Sequence, residues 1–184
     1  MPRTLSEADA DLFYQLFFPL LGYVNEKHRI VPGLRHIMPG MSIRAEDAKE
    51  IADKLWEDPG FIDRYLAERT LPEDRRSILL SWKNRRQGTF LVERHLAKGS
   101  IFIDADDSSV YQVCGIRSDW EEMLDWCPLP VLVHAVLIPF RDVIITDGLV
   151  FSEPGLMFGP GARKMLKDVY MEAKSAGVVI RTLE

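Results

Sequence analysis

Residues Thr89–Ile116, TFLVERHLAKGSIFIDADDSSVYQVCGI, decide the fold class of this 184-residue chain. They contain three short segments rich in β-branched and aromatic residues, separated by stretches of small and polar residues. Segments of this kind with short polar connections are typical of antiparallel strands in a meander. We therefore predict that the sheet of the protein begins directly after Gly88.

Upstream of Gly88 the apolar residues recur at helical spacing, first in SEADADLFYQLFFPLLGYVNEK and again in AEDAKEIADKLWE and FIDRYLAER. Pro19 lies inside the first pattern and predicts a kink or a break near residues 15–19. Thr70 and Glu73 have the spacing of a capping box, which predicts a further helix that includes Trp82 and ends at Gly88.

Downstream, VLVHAVLIPF and DVIITDGLVF predict two more strands, and Ser118–Glu121 has the spacing of a second capping box. ARKMLKDVYMEAKSAG predicts a late helix ended by Gly177, and VVIRTL predicts a closing strand. Helices followed by strands indicate an α+β fold. We predict a helical region, residues 1–88, packed on an antiparallel sheet of about five to six strands within residues 89–184, as one integrated domain.

Charge and cysteine content narrow the function classes. The chain has 23 basic and 28 acidic residues, a net charge of −5, which disfavours wholesale binding to nucleic acids or anionic membranes. Cys114 and Cys127 lack metal-site spacing and are expected to be reduced and buried. The N-terminus lacks the order of a signal peptide, and the longest apolar run, Leu129–Phe140, is well short of the roughly 20 residues that span a bilayer. We expect a soluble, cytoplasmic protein.

The sequence FGPGARKMLKDVY suggests a site for a phosphate or carboxylate, because glycines precede a helix whose free N–H groups could bind an anion. The candidate ligands are Gly159, Gly161, Arg163 and Lys164. The stretch matches neither the P-loop pattern nor the dinucleotide-binding pattern, and Pro160 removes one N–H donor. The alternative, which we favour, is a simple helix entrance whose glycines meet the needs of the turn.

The acidic stretch DADDSS could bind Mg²⁺ or Ca²⁺ through Asp104, Asp106 and Asp107. The EF-hand pattern fails, because Ser109 takes the glycine position and Gly115 takes the position of the bidentate Glu. Asp and Ser are also the residues expected in a hairpin loop. We predict no metal and no cofactor.

The stretch RRSILLSWKNRR interleaves basic residues with Trp82 and could contact nucleic-acid phosphates through Arg75, Arg76, Lys83, Arg85 and Arg86. We favour a solvated helix end, because cations in a last turn complement the helix dipole. Trp82 shares a helix face with Ile78 and Leu79, which predicts that it is buried.

The four histidines show no metal-ligand spacing, and chain spacing alone selects no Ser/His/Asp set. His134 lies in an otherwise apolar strand and is predicted to be a hydrogen-bonded core residue. Asp147 precedes Gly148 and is predicted to be a turn residue in preference to a catalytic acid. Cys114, on a strand expected to be buried, is a poor nucleophile.

The first helix carries apolar residues on most of its circumference, which predicts that more than one face is covered. We expect a homodimer that uses Phe13, Phe17 and Phe18. The alternative is that Pro19 bends the helix, so that its halves bury different faces within one chain.

Three functions remain open. The leading hypothesis is a non-enzymatic binding or regulatory module acting through protein–protein contact, because no catalytic set is evident. The alternative is a binding protein or enzyme for a small phosphorylated or carboxylated molecule at Gly159–Gly161. The weaker third is nucleic-acid binding through Arg75–Arg86.

Overall fold

The computed structural model describes residues 3–34, 36–38, 40–41, 43–153 and 155–184. It divides the chain into two compact units. The helical unit is Glu7–Lys83, and the sheet unit contains Asn84–Glu184 together with the N-terminal residues up to Ser6. The division lies a few residues before Gly88, where the sequence predicts the change from helices to strands.

In the described residues of the helical unit there are four helices: α1 (Glu7–His28), α2 (Ala45–Glu57), α3 (Gly60–Glu68) and α4 (Glu73–Ser81). The bounds of α2 are those of the predicted AEDAKEIADKLWE segment. α1 runs through Pro19 without a break, although an interior proline costs a helix about 3 kcal/mol. Ten buried residues along α1 show that packing outweighs this cost.

The positions of both ends of α4 differ from those predicted. It begins at Glu73 without a side-chain cap, so the predicted Thr70 capping box does not form. It ends at Ser81, and a single 3₁₀ turn, Trp82–Asn84, leads to the first strand at Arg86. Arg86 therefore lies in a strand and not, as predicted, in the last turn of a helix.

Aromatic residues form the interior of the helical unit. Trp82 is fully buried, as predicted, and its ring centroid lies 5.7 Å from that of Phe13 and 6.0 Å from that of Phe17. The Phe17 ring stacks in turn on Trp56 of α2. These contacts link α1, α2 and the end of α4 by apolar packing.

In its described residues the sheet unit has six strands and two helices. The strands are β1 (Arg86–Leu96), β2 (Gly99–Asp104), β3 (Val110–Val113), β4 (Val131–Phe140), β5 (Val143–Thr146) and β6 (Phe151–Ser152). Helix α5 (Trp120–Met123) lies between β3 and β4 in the chain, and α6 (Pro160–Ala176) follows β6. Three details differ from the sequence predictions. Asp119, not Ser118, caps α5 through the Glu122 N–H. The predicted single strand DVIITDGLVF is divided into β5 and β6, and the closing strand is reduced to one bridge between Ile180 and Tyr111.

The sheet closes on itself. Strand neighbours follow the order β1-β2-β3-β5-β4, and β4 also pairs with β1 along Arg86–Val92. β6 pairs with Val133 and His134 of β4. All pairs are antiparallel except β3 and β5, which are parallel, so the sheet is mixed. The predicted α+β fold is confirmed.

Side chains from alternate strand positions fill the interior of the closed sheet, among them Phe90, Phe102 and Tyr111. Trp120 of α5 packs edge-to-face on Phe102 at a centroid distance of 5.0 Å and covers one end of this interior. On the outer face, α6 packs against β2 and β3 through Leu166, Tyr170 and Ala173. No helix in the described part of the chain combines the length and apolarity needed to cross a bilayer.

Candidate functional site

The predicted anion site at the start of α6 is an open surface. Gly159 is the N-cap and Pro160 the first helical residue, and Arg163 donates from Nε to the Phe158 carbonyl at 3.0 Å. A Cβ added at Gly159 or Gly161 would meet no atom within 4 Å. Lys164 is also exposed. The four residues lie together, but no wall among the described residues encloses a ligand there, which is the geometry of the favoured helix entrance.

The acidic stretch uses its carboxylates within the chain. Asp104 is buried and accepts from Arg86 Nε at 3.0 Å through one oxygen, and from the Asp106 N–H at 2.9 Å through the other. Arg86 also pairs with Asp107 at 2.9 Å. Asp106 is exposed. No group of three or more potential metal ligands occurs in the described ranges.

The basic residues between Arg75 and Arg86 do not form a common patch. Lys83 pairs with Asp63 at 2.7 Å, Arg75 donates to the Gln15 side chain, and Arg76 donates to a backbone carbonyl. Burial lowers the pKa of Arg85, and Trp82 is fully buried and offers no face for stacking on a base.

In the sheet unit, α6 covers the outward residues of β2 and β3, which are Ile101, Ile103 and Val110. This face of the sheet is therefore not available to a nucleic acid.

The histidines differ from expectation. His134 is exposed and not part of the core. Its Nδ1 contacts Thr89 Oγ1 at 3.0 Å and its Nε2 contacts Glu153 Oε1 at 2.7 Å. His95 Nδ1 contacts Ser100 Oγ at 2.7 Å, a pair that chain spacing did not select. Ser100 is buried beside a cavity with no room for a water molecule, so the pair is structural.

The remaining candidates follow their predictions. Cys114 and Cys127 are buried thiols that form no disulfide. Burial raises the pKa of Cys114 to about 11, which makes it a poor nucleophile at neutral pH. Asp147 is buried in the turn before Gly148, where its carboxylate accepts from the Leu149 N–H at 3.0 Å.

The proposed interface residues on α1 are mostly covered. Phe13 and Phe17 are buried, contrary to the exposure that a dimer contact requires, because both pack on Trp82. Phe18 is partly exposed and stacks on Tyr14. One residue of the three remains accessible on α1.

A pocket of about 220 Å³ lies in the helical unit, at a place that no sequence pattern indicated. Its first wall is one face of α1, where Pro19, Gly22, Tyr23 and Glu26 follow the i, i+3, i+4, i+7 spacing of a single helix stripe. The other walls are the segment 36–38 and the C-terminal end of α3.

Gly22 brings two of these walls together. A Cβ at this position would lie 3.3 Å from the backbone nitrogen of Ile37 and 3.8 Å from its Cβ. Ile37 is buried, whereas its neighbour Met38 is 60% exposed. The glycine therefore lets segment 36–38 pack closely on α1, with Ile37 as the anchor and Met38 at the mouth of the pocket.

The floor of the pocket contains two tyrosines in edge-to-face contact, with centroids 5.4 Å apart. Tyr23 donates its hydroxyl to Glu68 Oε1 at 2.8 Å, and Lys27 Nζ lies 3.3 Å from the same oxygen. The hydrogen bond from Tyr23 is the main reason why the pKa of Glu68 is lowered, with Lys27 adding to it. Glu68 is therefore ionised at neutral pH, and its carboxylate interacts with both Tyr23 and Lys27.

Tyr65 differs from Tyr23 in the hydrogen bonding of its hydroxyl. It is 6% exposed, yet its hydroxyl makes no hydrogen bond to any described residue. Burial raises the pKa of Tyr65, so the hydroxyl keeps its proton at neutral pH. The guanidinium of Arg69 lies 6.0 Å from the Tyr65 ring centroid and forms no ion pair with the described residues. Glu26 and His36 complete the polar lining.

Sequence reasoning missed this pocket because its walls come from three segments that are far apart in the chain. The available signal was the spacing of Pro19, Gly22, Tyr23 and Glu26, which places them on one stripe of α1. Comparison with family models, with curated proteins and with solved structures gave no match.

Proposed function

We propose that the protein binds a small molecule carrying a carboxylate in the pocket of the helical unit. The observation that supports this function is the Tyr65 hydroxyl, which is accessible at the pocket and has no hydrogen-bond partner among the described residues, beside Arg69, which forms no ion pair with them. A ligand oxygen would supply the missing partner to both groups.

The donor groups of the lining favour an anionic ligand. The hydroxyl of a largely buried tyrosine usually has a hydrogen-bond partner. Arg69 offers the planar donor geometry that matches a carboxylate, and the protonated Tyr65 hydroxyl offers a further donor. A carboxylate accepts from both at once.

The size of the pocket limits the ligand. A volume of about 220 Å³ is below the roughly 300–1,000 Å³ of pockets that bind drug-sized molecules. At about 30 Å³ per water molecule it corresponds to roughly seven waters. The apolar part of the lining, with Pro19, Ile37 and the two tyrosine rings, favours a compact ligand with one apolar portion.

Urea unfolding in the presence of small aliphatic, aromatic and amino-acid carboxylates tests this function. A ligand present at a hundred times its Kd should raise the free energy of unfolding by about 2.7 kcal/mol. We expect Arg69→Met to abolish this gain. The matched control is Arg163→Met, which removes an exposed arginine at the start of α6.

A gain that survives in Arg69→Met and disappears in Arg163→Met would place the ligand at Gly159–Gly161 and overturn the assignment to the helical unit. A panel in which no carboxylate raises the stability of the wild-type protein would overturn the function itself.

A second candidate is protein–protein contact, including a homodimer. Its support is a run of exposed apolar side chains on and after β6, at Phe151, Leu156 and Met157, the last of them 77% exposed. Contiguous exposed apolar surface commonly marks an interface. Sedimentation equilibrium at micromolar concentration should show a dimer that Met157→Asp dissociates without unfolding. A 21.1 kDa monomer would exclude the homodimer.

A further inference from the structure

We infer that the ligand of the helical-unit pocket is a zwitterion of the α-amino-acid class with an apolar side chain. This inference rests on the proposed function and adds the chemical class of the ligand. It comes from the polar residues of the lining, which include the carboxylate of Glu26 and the guanidinium of Arg69 in addition to His36 and the two tyrosines.

Glu26 supplies the negative charge. It lies on the pocket stripe of α1 and forms no ion pair with the described residues, although Lys27 is its neighbour in the chain. Lys27 instead pairs with Glu68, which is already bound by Tyr23. The carboxylate of Glu26 is therefore available to an ammonium group of the ligand.

Arg69 supplies the positive charge on another wall. It follows the last residue of α3, four positions after Tyr65, and is likewise unpaired. Glu26 and Arg69 are the two charged residues among the described lining. A pocket with one unpaired charge of each sign complements a ligand with both charges, since a simple carboxylate would leave Glu26 without a partner.

The rest of the lining defines the side chain of the ligand. Pro19, Ile37, Met38 and the rings of Tyr23 and Tyr65 are apolar contacts within the same small volume. Methionine adapts its shape to different apolar groups, and Met38 stands exposed at the mouth. The pocket therefore suits valine, leucine, isoleucine, methionine or phenylalanine as free amino acids better than acidic or basic ones.

Isothermal titration calorimetry with matched analogues tests the inference. The five apolar amino acids are titrated first, and the tightest is compared with its analogue that lacks the amino group and its analogue that lacks the carboxylate. For leucine these are 4-methylpentanoate and 3-methylbutylamine. We expect the amino acid to bind about 1.5- to 5-fold more tightly than either analogue, the range of an exposed ion pair.

Two variants separate the two charges. Glu26→Gln should weaken the binding of the amino acid by about 1.5- to 5-fold and leave the binding of the analogue without an amino group unchanged. Arg69→Met should weaken the binding of both the amino acid and this analogue. The control is Glu50→Gln, an exposed acid on α2 outside the pocket, which should change neither.

The outcomes distinguish the two proposals. If the analogue without an amino group binds as tightly as the amino acid, and Glu26→Gln has no effect, the zwitterion inference is overturned while carboxylate binding stands. If none of the five amino acids binds but another carboxylate stabilises the protein through Arg69, the amino-acid class is overturned. If no carboxylate of any kind binds, both proposals fail.

Discussion

The two units of this protein differ in the bonding of their prominent polar side chains, although each also buries one indole N–H, that of Trp82 or Trp120, without a hydrogen-bond partner among the described residues. In the sheet unit, the buried Asp104 is bound by Arg86 and by the backbone, and the exposed His134 bridges Thr89 and Glu153. In the helical unit, Tyr65, Arg69 and Glu26 line one pocket and have no hydrogen-bond or ion-pair partner among the described residues.

The difference supports the binding site that we propose. In the sheet unit, Asp104 and Asp107 of the DADDSS stretch are bonded to Arg86. In the helical unit, Tyr65, Arg69 and Glu26 converge on an open pocket, which is typical of a binding site.

The largest expected effect concerns the scaffold of the helical unit. Trp82→Ala should lower the free energy of unfolding by about 3–5 kcal/mol, because it removes a fully buried indole that packs on Phe13 and Phe17. Urea denaturation followed by circular dichroism measures the loss. Trp126→Ala is the control, since Trp126 is 59% exposed and should cost less than about 0.5 kcal/mol. A loss below about 1 kcal/mol for Trp82→Ala would contradict the packing described above.

The next effect tests whether the polar groups of the sheet unit are structural. Arg86→Met should destabilise the protein by about 1–3 kcal/mol, because it leaves the buried Asp104 carboxylate without its charged partner. Lys167→Met, on the exposed side of α6, is the control and should lie within about 0.5 kcal/mol of the wild type. An unchanged stability for Arg86→Met would show that the pair with Asp104 contributes nothing.

A smaller effect should appear as a pH dependence in the sheet unit. Burial lowers the pKa of His95 below its ordinary value of about 6.5. As the pH falls through about 6.5, the unfolded chain takes up a proton before the folded one, so stability should decrease with acidification. Urea unfolding at pH 7.5 and pH 5.5 measures the decrease, which should be smaller in His95→Gln. An equal decrease in both proteins would assign it to other groups.

The smallest effect should occur at the pocket. Tyr65→Phe should change the stability of the ligand-free protein by no more than about 0.5 kcal/mol, because the hydroxyl that it removes has no hydrogen bond to any described residue. The same urea experiment provides the measurement. A loss above about 1 kcal/mol would reveal a hydrogen bond to the hydroxyl and remove the main argument for a ligand.

The local elements of the fold were accessible from the sequence because their causes are local. Apolar periodicity within a few turns defines α2, and the bounds of β4 are those of the predicted segment VLVHAVLIPF. Gly177 ends α6 in the left-handed conformation that glycine adopts readily. The change of period near Gly88 likewise predicted the α+β class.

The tertiary contacts of α1 could not be predicted from the sequence in this way. Whether Phe13 and Phe17 face a partner or Trp82 depends on contacts between α1 and residues that lie far along the chain. The continuity of α1 through Pro19 depends on packing that outweighs a local penalty. Local patterns carry no information about either contact.

The sequence by itself determined the kinds of elements in this protein and the burial of residues such as Trp82, since both follow from periods and caps within short segments. Only the tertiary structure decided how the sheet closes through β1 and β4, that Arg86 satisfies Asp104, and that Tyr65 and Arg69 meet the α1 stripe around a pocket. The physical reason is that each of these features joins residues distant in the chain, and their approach depends on the packing of the whole unit.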